Sequence, residues 1–234
     1  MPDWLTRWIG KPRAESPLTS RLRGYPPYDA PFVGYGLQLS EAEAQANLAY
    51  FERVLPQRLE SLAGLLRELA GLDVAAALLT PQEHAAPLTE ALHLWAAAQW
   101  PPLQAERPSL NLRAWLGSRR SGDDIVFSML LDVATLLGEL VRRANPDWRW
   151  GLDLDTANLR DDMVSARRVV LLAEPVGLLK APLLIDVEDV VVHRFLHPTD
   201  PAQQRLNPWR RLVEEGIRGD ALAYWRTTMA PPTV

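Results

Sequence analysis

The alternation of hydrophobic and polar positions divides the chain into three stretches of different period. In residues 1–39 no period holds, because Pro2, Pro12, Pro17, Pro26, Pro27 and Pro31 are interspersed with Gly24, Gly34 and Gly36, a spacing that prevents any long helix. This stretch reads as an extended arm. Its aromatics, Trp4, Trp8, Tyr25, Tyr28, Phe32 and Tyr35, are too many for a solvated linker, so the arm is expected to lie against the body of the protein or against a partner.

Residues 40–146 carry a helical period. Ser40 and Glu43 form a capping box, after which Leu48, Phe51, Leu55, Leu59, Leu62, Leu65, Leu66 and Leu69 recur at steps near three and four, and the run ends near Gly71. Pro56 predicts a kink or a split. Thr80, Pro81 and Glu83 open a further helix, whose apolar side is Leu88, Ala91, Leu92, Trp95 and Ala96. Pro87 is expected to limit its first piece, and Pro101 with Pro102 to end it. A short helix is expected around residues 112–116. Ser121, Gly122, Asp123 and Asp124 then supply cap candidates and negative charge for the most apolar helix, residues 124–144. Its apolar positions, Leu136, Leu137, Leu140 and Val141 among them, cover more than half its circumference, so it is the expected central helix.

After Asn145 and Pro146 the period falls to two. Trp148, Trp150, Leu152 and Leu154 alternate with Arg149, Gly151, Asp153 and Asp155, as in a half-buried strand. The β-branched and leucine run at 168–173 pairs with it antiparallel, and 183–185 adds a third short strand. Asp186 reads as an N-cap, with Glu188 and Asp189 in the first turn of a helix through Leu196. Helices at about 208–217 and 220–228 finish the chain. The fold class is therefore α+β, predominantly α-helical, with a small antiparallel sheet of two or three strands in the C-terminal half. One domain is expected over 1–234, comprising the arm (1–39), a helical region (40–146) and a β-hairpin with C-terminal helices (147–234).

Composition narrows the chemistry. The absence of cysteine removes thiolate nucleophiles, disulfides and cysteine-based metal sites, and it fits a reducing compartment. With no apolar signal-like segment at the start, the expectation is a cytoplasmic protein. No stretch approaches the ~20 apolar residues of a bilayer span, so no membrane partner is expected. A net charge of -4 argues against nucleic acid, whose affinity comes from clustered cations.

Ser128, Asp132, Thr135, Glu139 and Arg142 or Arg143 fall at steps of three or four and share one polar stripe of the central helix. Facing a cleft, the stripe would hold a general acid and base or part of a metal site. The expected reading is a solvated face, with Glu139 paired to Arg142 or Arg143. Asp153 and Asp155 point to one side of the first strand, and such a pair can set two oxygens near a divalent cation. Together with Glu139 they would make a magnesium-dependent, nuclease-like centre, although no E-x-K follows. On an exposed strand face, Asp153→Asn is expected barely to change stability. His193 and His197 are four apart but lack the H-E-x-x-H glutamate and read as surface residues.

Four arginine pairs stand on separate elements: Arg119 with Arg120, Arg142 with Arg143, Arg167 with Arg168, and Arg210 with Arg211. Guanidinium forks that converge would suit phosphate or an acidic protein; the bland expectation is that they answer the acidic clusters at 161–162 and 214–215. No phosphate loop, dinucleotide fingerprint, G-x-S-x-G elbow or kinase signature occurs, so no cofactor is expected.

Leu137-Gly138-Glu139 closing an apolar helix, Trp148-Arg149-Trp150-Gly151-Leu152-Asp153 opening a strand, and the returning run at 168–172 give residues 124–196 a resemblance to small uncharacterised bacterial proteins. Some of those resemble immunity proteins, which neutralise toxins of contact-dependent or secretion systems. The resemblance covers about a third of the chain. It implies a bacterial protein-binding inhibitor without chemistry of its own and transfers no site residue. The leading expectation is a non-enzymatic protein whose partner is another protein. A metal-dependent hydrolase using Glu139, Asp153 and Asp155 is one alternative, and a structural or assembly subunit forming a homo-oligomer is the other.

Overall fold

A computed structural model describes residues 15–107, 109–174, 183–198 and 207–219. The helices are α1 (Pro17–Leu22), α2 (Glu41–Ala70), α3 (Val74–Leu79), α4 (Pro81–Glu106), α5 (Leu112–Leu116), α6 (Val126–Ala144), α7 (Thr156–Arg160), α8 (Val187–Leu196) and α9 (Pro208–Arg218). Strands β1 (Trp148–Leu152), β2 (Val169–Ala173) and β3 (Leu183–Ile185) form an antiparallel sheet in the order β1-β2-β3. Trp150 stands opposite Leu171, and Leu171 opposite Ile185. The chain is thus mainly helical with the small antiparallel sheet that its period-two stretch predicts. None of the helices among the described residues is long and apolar enough to cross a membrane.

Helix α6 is the centre. Every residue from Val126 to Val141 is buried, with α2, α4, α8, α9 and β1 packed around it. Such complete burial is what an apolar surface wider than half a helix requires. The capping box at the start of α2 forms as expected, Ser40 Oγ accepting from the Glu43 amide while the Glu43 carboxylate accepts from the Ser40 amide. Gly71 ends α2 in the left-handed conformation, at φ 65°.

The prolines do not break the long helices. α2 runs through Pro56 and α4 through Pro87, Pro101 and Pro102. A proline inside a helix leaves the carbonyl four residues earlier without its donor. Here those residues are Glu52, Glu83, Ala97 and Ala98, all of them exposed, so water can take the place of the missing amide. On the opposite face the buried rows continue across each proline, through Phe51, Leu59 and Leu62 in α2 and through Ala85, Leu88, Trp95, Trp100 and Leu103 in α4. Burial of large side chains at about 1.5–3 kcal/mol each outweighs the proline penalty of about 3 kcal/mol.

Three short helices lie outside the sequence expectation, the first being α1 within the stretch read as an extended arm, where Ser16 accepts from the Thr19 amide. Asp73 caps α3 through the amides of Ala75 and Ala76, and Asp155 caps α7 through those of Ala157 and Asn158. The arm lies on the body as far as it is described, with Leu18, Leu22, Tyr25, Tyr28 and Leu39 buried. Trp4, Trp8 and the helix expected at 220–228 lie outside the described residues.

Candidate functional site

The polar stripe of α6 is not a solvated face. Ser128, Asp132, Thr135 and Glu139 are all buried, Asp132 and Glu139 completely so. The expectation fails because α2 and the arm cover the first half of the stripe and β1 the second. Only its pairing part holds: Glu139 accepts from Arg142 Nε at 2.6 Å and Arg143 Nε at 3.0 Å, and Trp150 Nε1 also donates to it at 2.9 Å. Burial raises the Glu139 pKa, and these three donors more than offset it, so the carboxyl is held below its usual range.

Asp132 is met by a cation from across the helix interface. Arg58 Nε and Nη2 grip its two carboxylate oxygens at 2.8 and 2.7 Å, and the Tyr25 hydroxyl donates to Oδ2. The same guanidinium donates to the carbonyls of Pro26 and Pro27, which ties the arm to α2 and α6 in one knot. Burial pushes the Asp132 carboxyl up to about 6 against the pull of Arg58. Arg58 lies in the apolar row Phe51, Leu55, Arg58, Leu62, Leu65 of α2, and its place in that row is the sequence signal for a buried cation.

A second ionic cluster joins two of the arginine pairs. Glu188, in the first turn of α8, accepts from Arg120 Nη1, from Arg168 Nη2 at 2.8 Å and from Trp115 Nε1 at 2.9 Å. Arg168 also pairs with Asp186 at 2.9 Å and lies 4.4 Å above the Trp115 ring. Burial raises the Glu188 pKa, but Arg120 and Arg168 together hold it down to about 2. Burial also raises Asp186, to about 6. The Arg120 backbone is pinned on both sides: its amide donates to Ser118 Oγ, and its carbonyl accepts from Ser128 Oγ, which in turn accepts from the Tyr28 amide. This holds Arg120 at φ 55°, a conformation uncommon for a residue with a Cβ; Arg167 has the same φ.

Each of these pairs is divided in function. Arg120 and Arg168 turn to Glu188, while Arg119 and Arg167 form no ion pair with any described carboxylate. Arg119 is exposed. Arg167 donates through Nη1 to the Leu39 carbonyl, and its buried Nε has no acceptor. All four side chains line one pocket of about 80 Å³ between the arm, α2, α6 and β1. Its walls are aromatic, from Tyr28, Phe32, Phe51, Trp115 and Trp150, and its carboxylates are Asp29 and Glu188. Four guanidinium groups against two carboxylates, one of them already saturated, give the cavity a positive interior. An acidic group would meet there two cations that pair with no described carboxylate. The rim on the arm carries Phe32 and Val33, 39% and 36% exposed, and nearby Leu37 is 74% exposed.

The proposed acidic centre does not assemble as a ligand set. Asp153 is not on an exposed face: it is 1% exposed, one residue beyond β1, and its carboxylate accepts from Ser165 Oγ at 2.6 Å, Asn158 Nδ2 at 2.9 Å and the Asp155 amide at 3.1 Å. Asp155 is occupied as the cap of α7, and Glu139 by its own three donors. Among the described residues no three His, Cys, Asp or Glu side chains converge as metal ligands. The rings of His193 and His197 are neighbours, 4.4 Å apart between centroids. Arg142 and Arg143 serve Glu139, and Arg210 and Arg211 pair with Glu214 and Glu215 along α9.

No protein-family model, curated protein or solved structure matches this chain.

Proposed function

We propose that this protein acts by binding another protein, and that an acidic side chain of the partner enters the arginine-lined pocket while partner apolar residues cover Phe32, Val33 and Leu37. The observation that carries the reading is the pair Arg119 and Arg167, two guanidinium groups without a carboxylate at the wall of a formed cavity. Retaining a like-charged cluster has a cost in self-repulsion, which an incoming carboxylate relieves. Arginine and aromatic side chains around a small cavity are also the composition of binding hot spots. The resemblance of residues 124–196 to immunity-type bacterial proteins suggests the kind of partner, a toxin held in an inhibited complex.

The reading is tested by placing a photo-reactive amino acid at Phe32 and irradiating cells of the native host. The expected product is a cross-link to one partner, and Arg119→Glu removes most of it. Cross-linking only between copies of this chain, or a heterologous cross-link indifferent to Arg119→Glu, would refute the reading.

A further inference from the structure

Among the described residues a further cation, Arg194, lacks an anion, and it lies outside the arginine-lined pocket. Arg194 on α8 is 4% exposed, and no described group accepts a hydrogen bond from its guanidinium; Nε is wholly buried without a partner. Burial alone lowers its pKa, with no carboxylate acting in the other direction. Buried charges in native proteins are ordinarily paired, because an unpaired one forfeits its hydration with nothing in return. Arg194 lies in the wall of a groove between α4 and the end of α8, with a cavity volume of about 270 Å³. Apart from His93 and Gln104 the rest of the lining is apolar, from Leu94, Ala97, Trp100, Pro101 and Pro198 among others. Gln104, also in the lining, donates through Nε2 to the Phe195 carbonyl, and its Oε1 makes no hydrogen bond to Arg194.

We infer that this groove is a binding site for a small aliphatic monocarboxylate, with the carboxylate on Arg194 and the hydrocarbon chain along Trp100 and Leu94. Charge complementarity fixes the sign of the ligand, and the single cation fixes one negative group rather than two. The volume falls just below that of pockets for drug-sized molecules, which favours a short-chain acid over a larger cofactor. The site is separate from the arginine-lined pocket, and its occupancy does not depend on the function proposed for that pocket.

The test is calorimetric titration of the full chain with hexanoate, with hexanamide and hexylammonium as isosteres of neutral and opposite charge. Hexanoate should bind saturably and raise the melting temperature, and neither isostere should do so. Arg194→Met should weaken hexanoate at least about tenfold, since a charge-assisted contact is lost. Its own melting temperature should equal or exceed that of the wild type, because a buried unpaired charge is removed. Ala97→Trp, on the exposed side of the groove, should block hexanoate independently of Arg194. Failure of hexanoate to bind the wild type, equal binding of hexanamide, or unchanged affinity in Arg194→Met or Ala97→Trp would overturn the assignment.

Discussion

The indole of Trp150 occupies the space where a Cβ on Gly138 would stand, so α6 and β1 meet at a distance that only glycine permits. That approach brings Trp150 Nε1 onto Glu139 and makes the ring a wall of the arginine-lined pocket. Gly138→Ala should therefore destabilise the protein by about 1–3 kcal/mol, the usual cost of overpacking, although alanine is the better helix former. Chemical denaturation checks this, and Trp150→Phe in the same chain should recover part of the loss. An alanine variant as stable as the wild type would show that the contact is not tight.

Arg58 and Asp132 form the corresponding bond between α2 and α6. Arg58→Met leaves a buried carboxylate without its cation and should cost about 3–5 kcal/mol, whereas Arg58→Met with Asp132→Leu should cost much less. Denaturant midpoints of these two variants and of Asp132→Leu alone measure the coupling. Equal costs for the single and double variants would mean that the pair does not act as a unit.

Glu188 gives the protein an acid-sensitive contact. Its pKa is about 2 in the fold against an ordinary value of 4.5, so the folded state binds the proton less tightly than the unfolded chain does. The contribution is fully present above about pH 4.5 and is lost as the pH falls through about 2. Its size is on the order of 3 kcal/mol, at ~1.4 kcal/mol for each tenfold difference in proton affinity between the folded and unfolded chain. Glu188→Gln should be destabilised at neutral pH, and its deficit relative to the wild type should shrink as the pH approaches 2. Denaturant unfolding at several pH values reads this directly, and a deficit independent of pH contradicts it.

Much of this architecture was legible in the chain. The capping box at Ser40, the period-two stretch at Trp148 and the N-cap at Asp186 act within a few residues, and each produced the element it predicts. The prolines misled because their effect depends on which face loses its donor, a tertiary property. The α6 stripe misled for a related reason: spacing places Asp132 and Glu139 on one line but cannot say that Arg58 and Trp150 cover it. In the candidate site, the doubled arginines were visible, but the expectation that they answer the acidic clusters at 161–162 and 214–215 holds only for Arg210 and Arg211. That two of the pairs would share Glu188 and leave Arg119 and Arg167 over depends on contacts such as Arg168 to Glu188, which span the sheet and α8.

Asp153 and Asp155 should separate by stability rather than by metal dependence. Asp153→Ala removes the acceptor for three buried or half-buried donors and should cost roughly 2–3 kcal/mol; Asp155→Ala removes a helix cap and should cost about 1 kcal/mol. Millimolar magnesium should leave the melting temperature of the wild type unchanged. A rise with magnesium that Asp153→Ala abolishes would restore the reading of these residues as a metal centre.

The proposed contact between Arg119 and an acidic group of a partner protein is read out by a charge exchange. With the partner cross-linked at Phe32 in hand, the affinity of wild-type and Arg119→Glu protein is compared against that partner and against variants in which single acidic residues near the cross-link are changed to lysine. Arg119→Glu should weaken binding at least about tenfold, and one acid-to-lysine change should restore it. Wild-type affinity in Arg119→Glu would mean that Arg119 meets no acidic group of the partner.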